Sequence, residues 1–298
     1  TMWTTGDVTL NCYGDLTGTG TFYASGGTMP YTFIVVSNST GGTIAAPGFN
    51  SQTFFNAGAG NVTVQVIDAA MCSAQATINV NQPAQLDPGS IGSSQVICYG
   101  GNPSTLTSLS APSGGPGAYV YQWQQSTSVT GPFVNIAGAS SVDYTPPPGA
   151  SYTLYYRRMV TSGTCMPVNS NVVEILVNPR PVGFLTGGET ICPGQSSVIR
   201  VTLLAGTGPF EIDIAGYGTV SNYVSGEDIL VTPAATTTYT LTRIRDANNC
   251  EVNAPSGNLN GSATITVSDL PSITSFTPSP AVCEFSLATF RVTATGTN

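Results

Sequence analysis

"TTTYTLTRIRDANNC" (residues 236–250) reads as a β-rich run that stops at a polar turn and then places a cysteine. The same arrangement recurs in "VTVQVIDAAMC" (residues 62–72), where Asp68 and Cys72 keep the offset of Asp246 and Cys250. A looser copy, "YTLYYRRMVTSGTC" (residues 152–165), ends at Cys165. One strand-turn-cysteine unit written three times marks an internal repeat, which decides how the rest of the chain is read.

The repeat has a second fixed point. Cys12, Cys98 and Cys192 stand in "NCYG", "ICYG" and "ICPG", and each is followed by a glycine-rich turn with proline: "GGTMPYTF" (26–33), "GGPGAYVYQW" (114–123) and "GTGPFEI" (206–212). From first cysteine to first cysteine the period is roughly 90 residues, a domain-sized unit. This divides the chain into 1–86, 87–180, 181–271 and 272–298, the last restarting the repeat at Cys283 and breaking off where proline and an aromatic residue are due. Six cysteines allow fifteen pairings. The repeat favours closure within each unit, Cys12 with Cys72, Cys98 with Cys165 and Cys192 with Cys250, over free buried thiols. Each such loop of about 60 residues would contribute on the order of 4 kcal/mol in the chain-entropy model. Cys283 is then unpaired in this chain, and by analogy its partner is expected some 55 to 70 residues beyond Asn298; the rival is that its strand completes a neighbouring subunit.

Composition agrees with an all-β chain. There are 298 residues with 34 Gly, 21 Pro and 7% charged residues, and no stretch carries a helical apolar period. In the second unit, six short β-prone runs between residues 104 and 178 are split by Gly, Pro and Ser, the pattern of a two-sheet sandwich with Greek-key connections. Trp123 sits where such a sandwich puts its core tryptophan, and Tyr152 and Tyr239 open the penultimate strands where a tyrosine corner belongs. Asp68 and Asp246 are expected to cap their turns with Asx hydrogen bonds. Cys98 precedes the first full strand and Cys165 follows the penultimate one, so the disulfide is expected to clamp the leading segment to the last hairpin at one pole. Tyr239 and Leu241 share one parity and Ile244 the other, which calls for a bulge between them.

The charge inventory excludes whole classes of function. All seven basic residues are Arg, against fifteen acidic ones, and the net charge is −8. Nucleic acid and anionic lipid need clustered cations and are disfavoured as partners. Without His there is no Ser-His-Asp or Cys-His nucleophile, and without Lys no Schiff base and no isopeptide brace. No run of about 18 apolar residues is present for a membrane span. The first residues lack the pattern of a signal peptide, so an export signal is expected to have been removed or to lie outside this stretch. Paired cysteines place the chain outside the cytoplasm.

The residues "NCYGDLTGTGTFYASGGTMPYTF" and "VTVQVIDAAMCSAQATINVNQPAQL" resemble the short repeat named after the gliding adhesin SprB, over residues 7–86. Residues 87–271, with "YQWQQSTSVTGPFVNIAGASSVDYTPP" and "TPAATTTYTLTRIRDANNC", are similar to the Ig-like or PKD-like modules of giant Bacteroidota surface proteins. The resemblance implies display at the cell surface, often by type IX secretion with a C-terminal sorting domain.

Chemical sites are sparse. Glu227, Asp228 and Asp213 are weighed as Ca²⁺ ligands against a solvated loop, and no other cofactor or metal is called for. Glu211 and Asp213 share a strand face, as a glycosidase pair could, but a narrow sandwich lacks the cleft. Arg157 and Arg158 are read as local ion pairs or a domain contact, and the sequons at Asn38, Asn61 and Asn260 as chance in a chain rich in Ser and Thr. The expected function is a non-catalytic, extracellular stalk or adhesive segment, its partners being neighbouring modules of the same polypeptide, surface polysaccharide or secretion and motility machinery. Proline-containing junctions at 81–89, 178–183 and 268–280 suggest a semi-rigid rod. The competing readings are a subunit of a self-assembling filament and a carbohydrate-binding accessory region of an exported enzyme.

Overall fold

The computed structural model describes residues 1–92, 94–277 and 291–295, together with Glu284, Leu287 and Thr289. Among these residues there is no helix; the architecture is all-β, of tandem Ig-like sandwiches. The chain divides into two compact units, one of residues 1–95, 103–147 and 153–175, the other of residues 96–102, 148–152 and 176–298.

In the first unit, residues 2–81 form two four-stranded sheets. One runs in the order Met2–Thr4, Gly18–Ala24, Ser51–Ala57, Thr43–Ile44, and the other Val8–Thr9, Ser73–Asn81, Gly60–Ile67, Thr32–Asn38. Strict alternation drives the packing: Val62, Val64 and Val66 point inward from Gly60–Ile67 and their neighbours outward. Leu10, Phe22, Phe54, Ile78 and Val80 complete the core.

The same unit holds the centre of the second repeat. Tyr119–Ser126 pairs antiparallel with Leu154–Ser162 along its whole length, Trp123 opposite Arg158, and residues 154–156 pair in turn with residues 173–175. Trp123 is 0% exposed; its indole N–H donates to the Ser141 carbonyl at 2.9 Å, and its ring lies 5.6 Å from that of Tyr144. Tyr156, Arg158, Val160 and Ser162 share the inward parity of their strand. Arg158 is therefore a core residue and not a surface ion pair or domain contact. Its guanidinium donates to the carbonyls of Val142 (2.9 Å) and Pro88 (3.1 Å) and lies over the Tyr121 ring, and burial pulls its pKa below the usual arginine value. Arg157, facing the other way, stacks on Phe133 and donates to Gln124.

Tyr152 corrects the expectation of a corner aromatic: it is 59% exposed, because the strand begins only at Leu154 and Tyr156 takes the inner position. Tyr239, its counterpart in the third repeat, is buried.

In the second unit, residues 182–267 form a continuous sheet that folds over itself. The order is Gly218–Tyr223, Phe210–Ala215, Thr237–Arg245, Leu259–Val267, Val182–Gly187, Ser197–Ala205, Asp228–Val231. Leu259–Val267 serves both layers, pairing in parallel with residues 183–185 through 259–261 and antiparallel with residues 237–240 through 262–265. The switch falls at Gly261, where φ is +80° and a Cβ would stand 2.2 Å from the Leu185 carbonyl oxygen. No other residue fits there. Ile199, Val201, Ile212, Ile214, Tyr239, Leu241, Ile244 and Ile265 fill the space between. Asp213 faces Arg243 while Ile214 faces Leu241, so Thr242 is an extra residue. That bulge brings Leu241 and Ile244 to the same interior despite their opposite parity.

Residues 272–277 pair antiparallel with residues 291–295 in a separate two-stranded sheet. Cys283 lies outside the described residues.

Candidate functional site: the cysteine turns

The disulfides correct the pairing expected from the repeat. Cys12 is bonded to Cys165 and Cys98 to Cys250, with Cα separations of 5.5 Å in each, while Cys72 and Cys192 are free and exposed. The leading cysteine of one repeat is thus joined to the hairpin cysteine of the next.

Strand direction explains why. The leading segment pairs in parallel with the far end of the last strand: Val8 and Thr9 with Val80 and Asn81, Thr190 and Ile191 with Thr266 and Val267. This sets Cys12 beside Asn81, with Leu10 N–H donating to the Asn81 carbonyl at 2.8 Å. Cys72 lies in the turn at the other end of that same strand, just before Ser73. Nine residues of extended chain span on the order of 27 Å, and a disulfide needs Cα atoms within about 7 Å. Cys12 and Cys72 cannot meet. In the third repeat Cys192 follows Ile191 at the Val267 end, and Cys250 follows Arg245 at the opposite end of the neighbouring strand Thr237–Arg245. A clamp at one pole of each repeat is therefore replaced by a bond across each junction.

Both kinds of turn carry the same hydrogen bonds around a bonded and around a free cysteine. In the hairpin turn, Asp246 Oδ1 accepts N–H from Asn248 (2.9 Å) and Cys250 (2.8 Å), and Oδ2 accepts from Thr207 (3.0 Å). Asp68 repeats this with Ala70 (3.0 Å), Cys72 (2.8 Å) and Thr28 (3.0 Å), and those N–H groups, Thr28 first, hold its carboxyl below the usual aspartate range. Asn249 and Met71, just before each cysteine, have φ of 61° and 65°. The leading turn has its own brace three residues on: Asp15 accepts Cys12 N–H at 3.0 Å, and Gln195 accepts Cys192 N–H at 3.0 Å. Asp15 and Gln195 escaped sequence reasoning because they differ in type; only their shared offset marks them.

Asp246 is buried and carries three N–H bonds, so Asp246→Ala is expected to cost on the order of 2–3 kcal/mol. Urea unfolding of oxidised protein measures it, and a loss under about 0.5 kcal/mol would mean the turn holds its shape without the carboxylate.

At the first junction the glycine loop of the second repeat grips the connecting segment. Gly115 N–H donates to the Ala84 carbonyl at 2.8 Å, and Asp87 and Ser113 exchange N–H···O bonds of 2.9 and 3.1 Å. Gly114 (φ +73°) comes so close that a Cβ would lie 2.0 Å from the Gln85 carbonyl oxygen. At the second junction Arg180 Nε donates to the Tyr99 carbonyl (3.0 Å), and Asn258 donates to that of Pro181 (3.2 Å).

Of the acidic candidates, Glu211, Asp213 and Asp228 are bound by arginine. Glu211, Asp213 and Glu251 all bind Arg243, with Arg243 Nε 2.7 Å from Asp213 Oδ2. The guanidinium holds the Asp213 carboxyl low, opposite to what a proton-donating acid needs. Asp228 pairs with Arg200, and Glu227 accepts the Val224 N–H. Among the described residues no three or more His, Cys, Asp or Glu gather as a metal site.

Residues 87–179 match a family described as a domain of unknown function, DUF8696. No curated protein matches the chain. Among solved structures, a three-domain immunoglobulin segment of titin is 12% identical, covers 89% of this chain and 98% of its own, and has a TM-score of 0.46. A four-domain ectodomain fragment of ICAM-5 is also 12% identical, with coverage of 92% and 79% and a TM-score of 0.31. At these scores the likeness carries nothing about function.

Proposed function

We propose that this chain is a non-catalytic, extracellular segment of tandem Ig-like modules that works as a stalk or adhesive region of a large surface protein. The observation that carries this reading is the overlap of the two disulfides along the sequence, Cys98 falling inside the loop closed by Cys12 and Cys165, and Cys165 inside that closed by Cys98 and Cys250. Bonds of this kind persist only in an oxidising compartment. They add little to any one catalytic or binding surface, but they keep successive modules fastened when the chain is under tension. The resemblance of residues 7–86 to SprB-type repeats supports a gliding or adhesive surface protein exported by type IX secretion, with modules divided near residues 86, 180 and 271.

On intact cells that make the protein, an antibody against residues 1–271 is expected to bind without permeabilisation. Labelling that appears only after lysis would sink the proposal.

A further inference from the structure

The two free thiols stand at repeat-equivalent positions. Cys72 occupies the hairpin turn that in the next two repeats holds Cys165 and Cys250, each bonded to the leading cysteine of the repeat before. Cys192 occupies the leading turn that holds Cys12 and Cys98, each bonded to the hairpin cysteine of the repeat after. Their surroundings match those of Cys250 and Cys12: the Asp68 turn reproduces the Asp246 turn bond for bond, and Gln195 braces Cys192 as Asp15 braces Cys12.

A separate feature points the same way. Beside Cys72 lies an open cleft of about 130 Å³, walled by Ser25, Gly26, Gly27, Tyr31 and Asp68. Gly26 and Tyr31 belong to the glycine loop of the first repeat, closed by a Tyr31 hydroxyl bond to the Gly26 carbonyl at 2.8 Å. The second repeat closes its loop identically, Tyr119 to Gly114 at 2.9 Å, and there the loop grips the incoming segment at Ala84 and Gln85. The cleft by Cys72 thus corresponds to the seat of an incoming linker.

We infer that Cys72 and Cys192 are the open halves of the same junction bond, made with a further module of this kind: Cys192 with the hairpin cysteine of the module after it, Cys72 with the leading cysteine of the module before it. Each bond forms by thiol–disulfide exchange. Two thiols lose two protons and two electrons to a disulfide oxidant, such as oxidised glutathione or an exported dithiol oxidase, which is released as two thiols. In the cell this rests on the extracellular reading above; the register itself does not, and is tested in solution.

The test is a tandem chain in which residues 1–271 precede the complete protein. Only the separate sheet of residues 272–277 and 291–295 is left out of the first copy. Joining residue 271 to Thr1 places the second copy's Cys12 where Cys283 stands in the sequence, and its Cys72 about 150 residues after the first copy's Cys192, matching the 153- and 152-residue separations within the chain. After oxidation with glutathione disulfide, non-reducing peptide mapping is expected to recover Cys192 of the first copy linked to Cys72 of the second. Cys72 of the first copy and Cys192 of the second are expected to stay open to iodoacetamide. With Cys72→Ser in the second copy, Cys192 of the first should become alkylatable while the other bonds remain. The inference is overturned if both junction thiols are alkylated although Cys12–Cys165 and Cys98–Cys250 are recovered in both copies. It is equally overturned if Cys192 bonds elsewhere, or if oxidation scrambles those four cysteines in the tandem chain but not in the single one.

Discussion

Pulled by its two ends, the reduced chain is expected to extend on the order of 600 Å further than the oxidised chain, at roughly 3.5 Å per residue. The gain follows from the overlap of the two bonds. In oxidised protein the shortest covalent route from Cys12 to Cys250 crosses to Cys165, runs back to Cys98 and crosses again, so residues 13–97 and 166–249 carry no load even when unfolded. Reduction restores the full contour between Cys12 and Cys250. Force spectroscopy with and without reductant reads the difference directly, and equal lengths would show that the bonds do not form. Replacing Cys72 and Cys192 by serine together is expected to leave the oxidised length unchanged. Had each repeat closed on itself, the same substitutions would release on the order of 400 Å, so the two pairings give different traces.

Trp123→Ala is expected to destabilise the second repeat by about 3–5 kcal/mol, the range for emptying a fully enclosed aromatic site. The indole is wholly buried, packs on Tyr144, which packs in turn on Tyr156, and satisfies the Ser141 carbonyl. Truncation leaves a cavity and removes the indole hydrogen bond to the Ser141 carbonyl. Urea unfolding followed by circular dichroism is the measurement, with the transition of residues 182–267 as internal reference. A cost below about 1 kcal/mol would mean that the site collapses around the missing ring and that Trp123 is not the centre of this core.

Much of this was legible in the chain. Alternating Val62, Val64 and Val66, Trp123 in its strand run and the parity break between Leu241 and Ile244 each announced a local fact, because strand period and bulges are set by neighbours in sequence. Asp68 and Asp246 declared their turns for the same reason: an Asx bond reaches only two to four residues. Arg158 did not declare itself. A charged residue in a strand is ordinarily outward, and only the carbonyls of Val142 and Pro88, brought from distant parts of the chain, make its burial tolerable.

The repeat period, the all-β class and the hairpin cysteine turn were determined by the sequence alone, since each rests on composition, periodicity or short-range hydrogen bonding. Which cysteine meets which was decided by the tertiary structure. Cysteine spacing is the same whether the leading segment lies parallel or antiparallel to the last strand, but the parallel pairing of Val8–Thr9 with Val80–Asn81 and of Thr190–Ile191 with Thr266–Val267 puts leading and hairpin cysteines at opposite ends of one repeat. A disulfide cannot span the length of a strand, so each bond had to be made across a junction, where the two kinds of turn come within 5.5 Å.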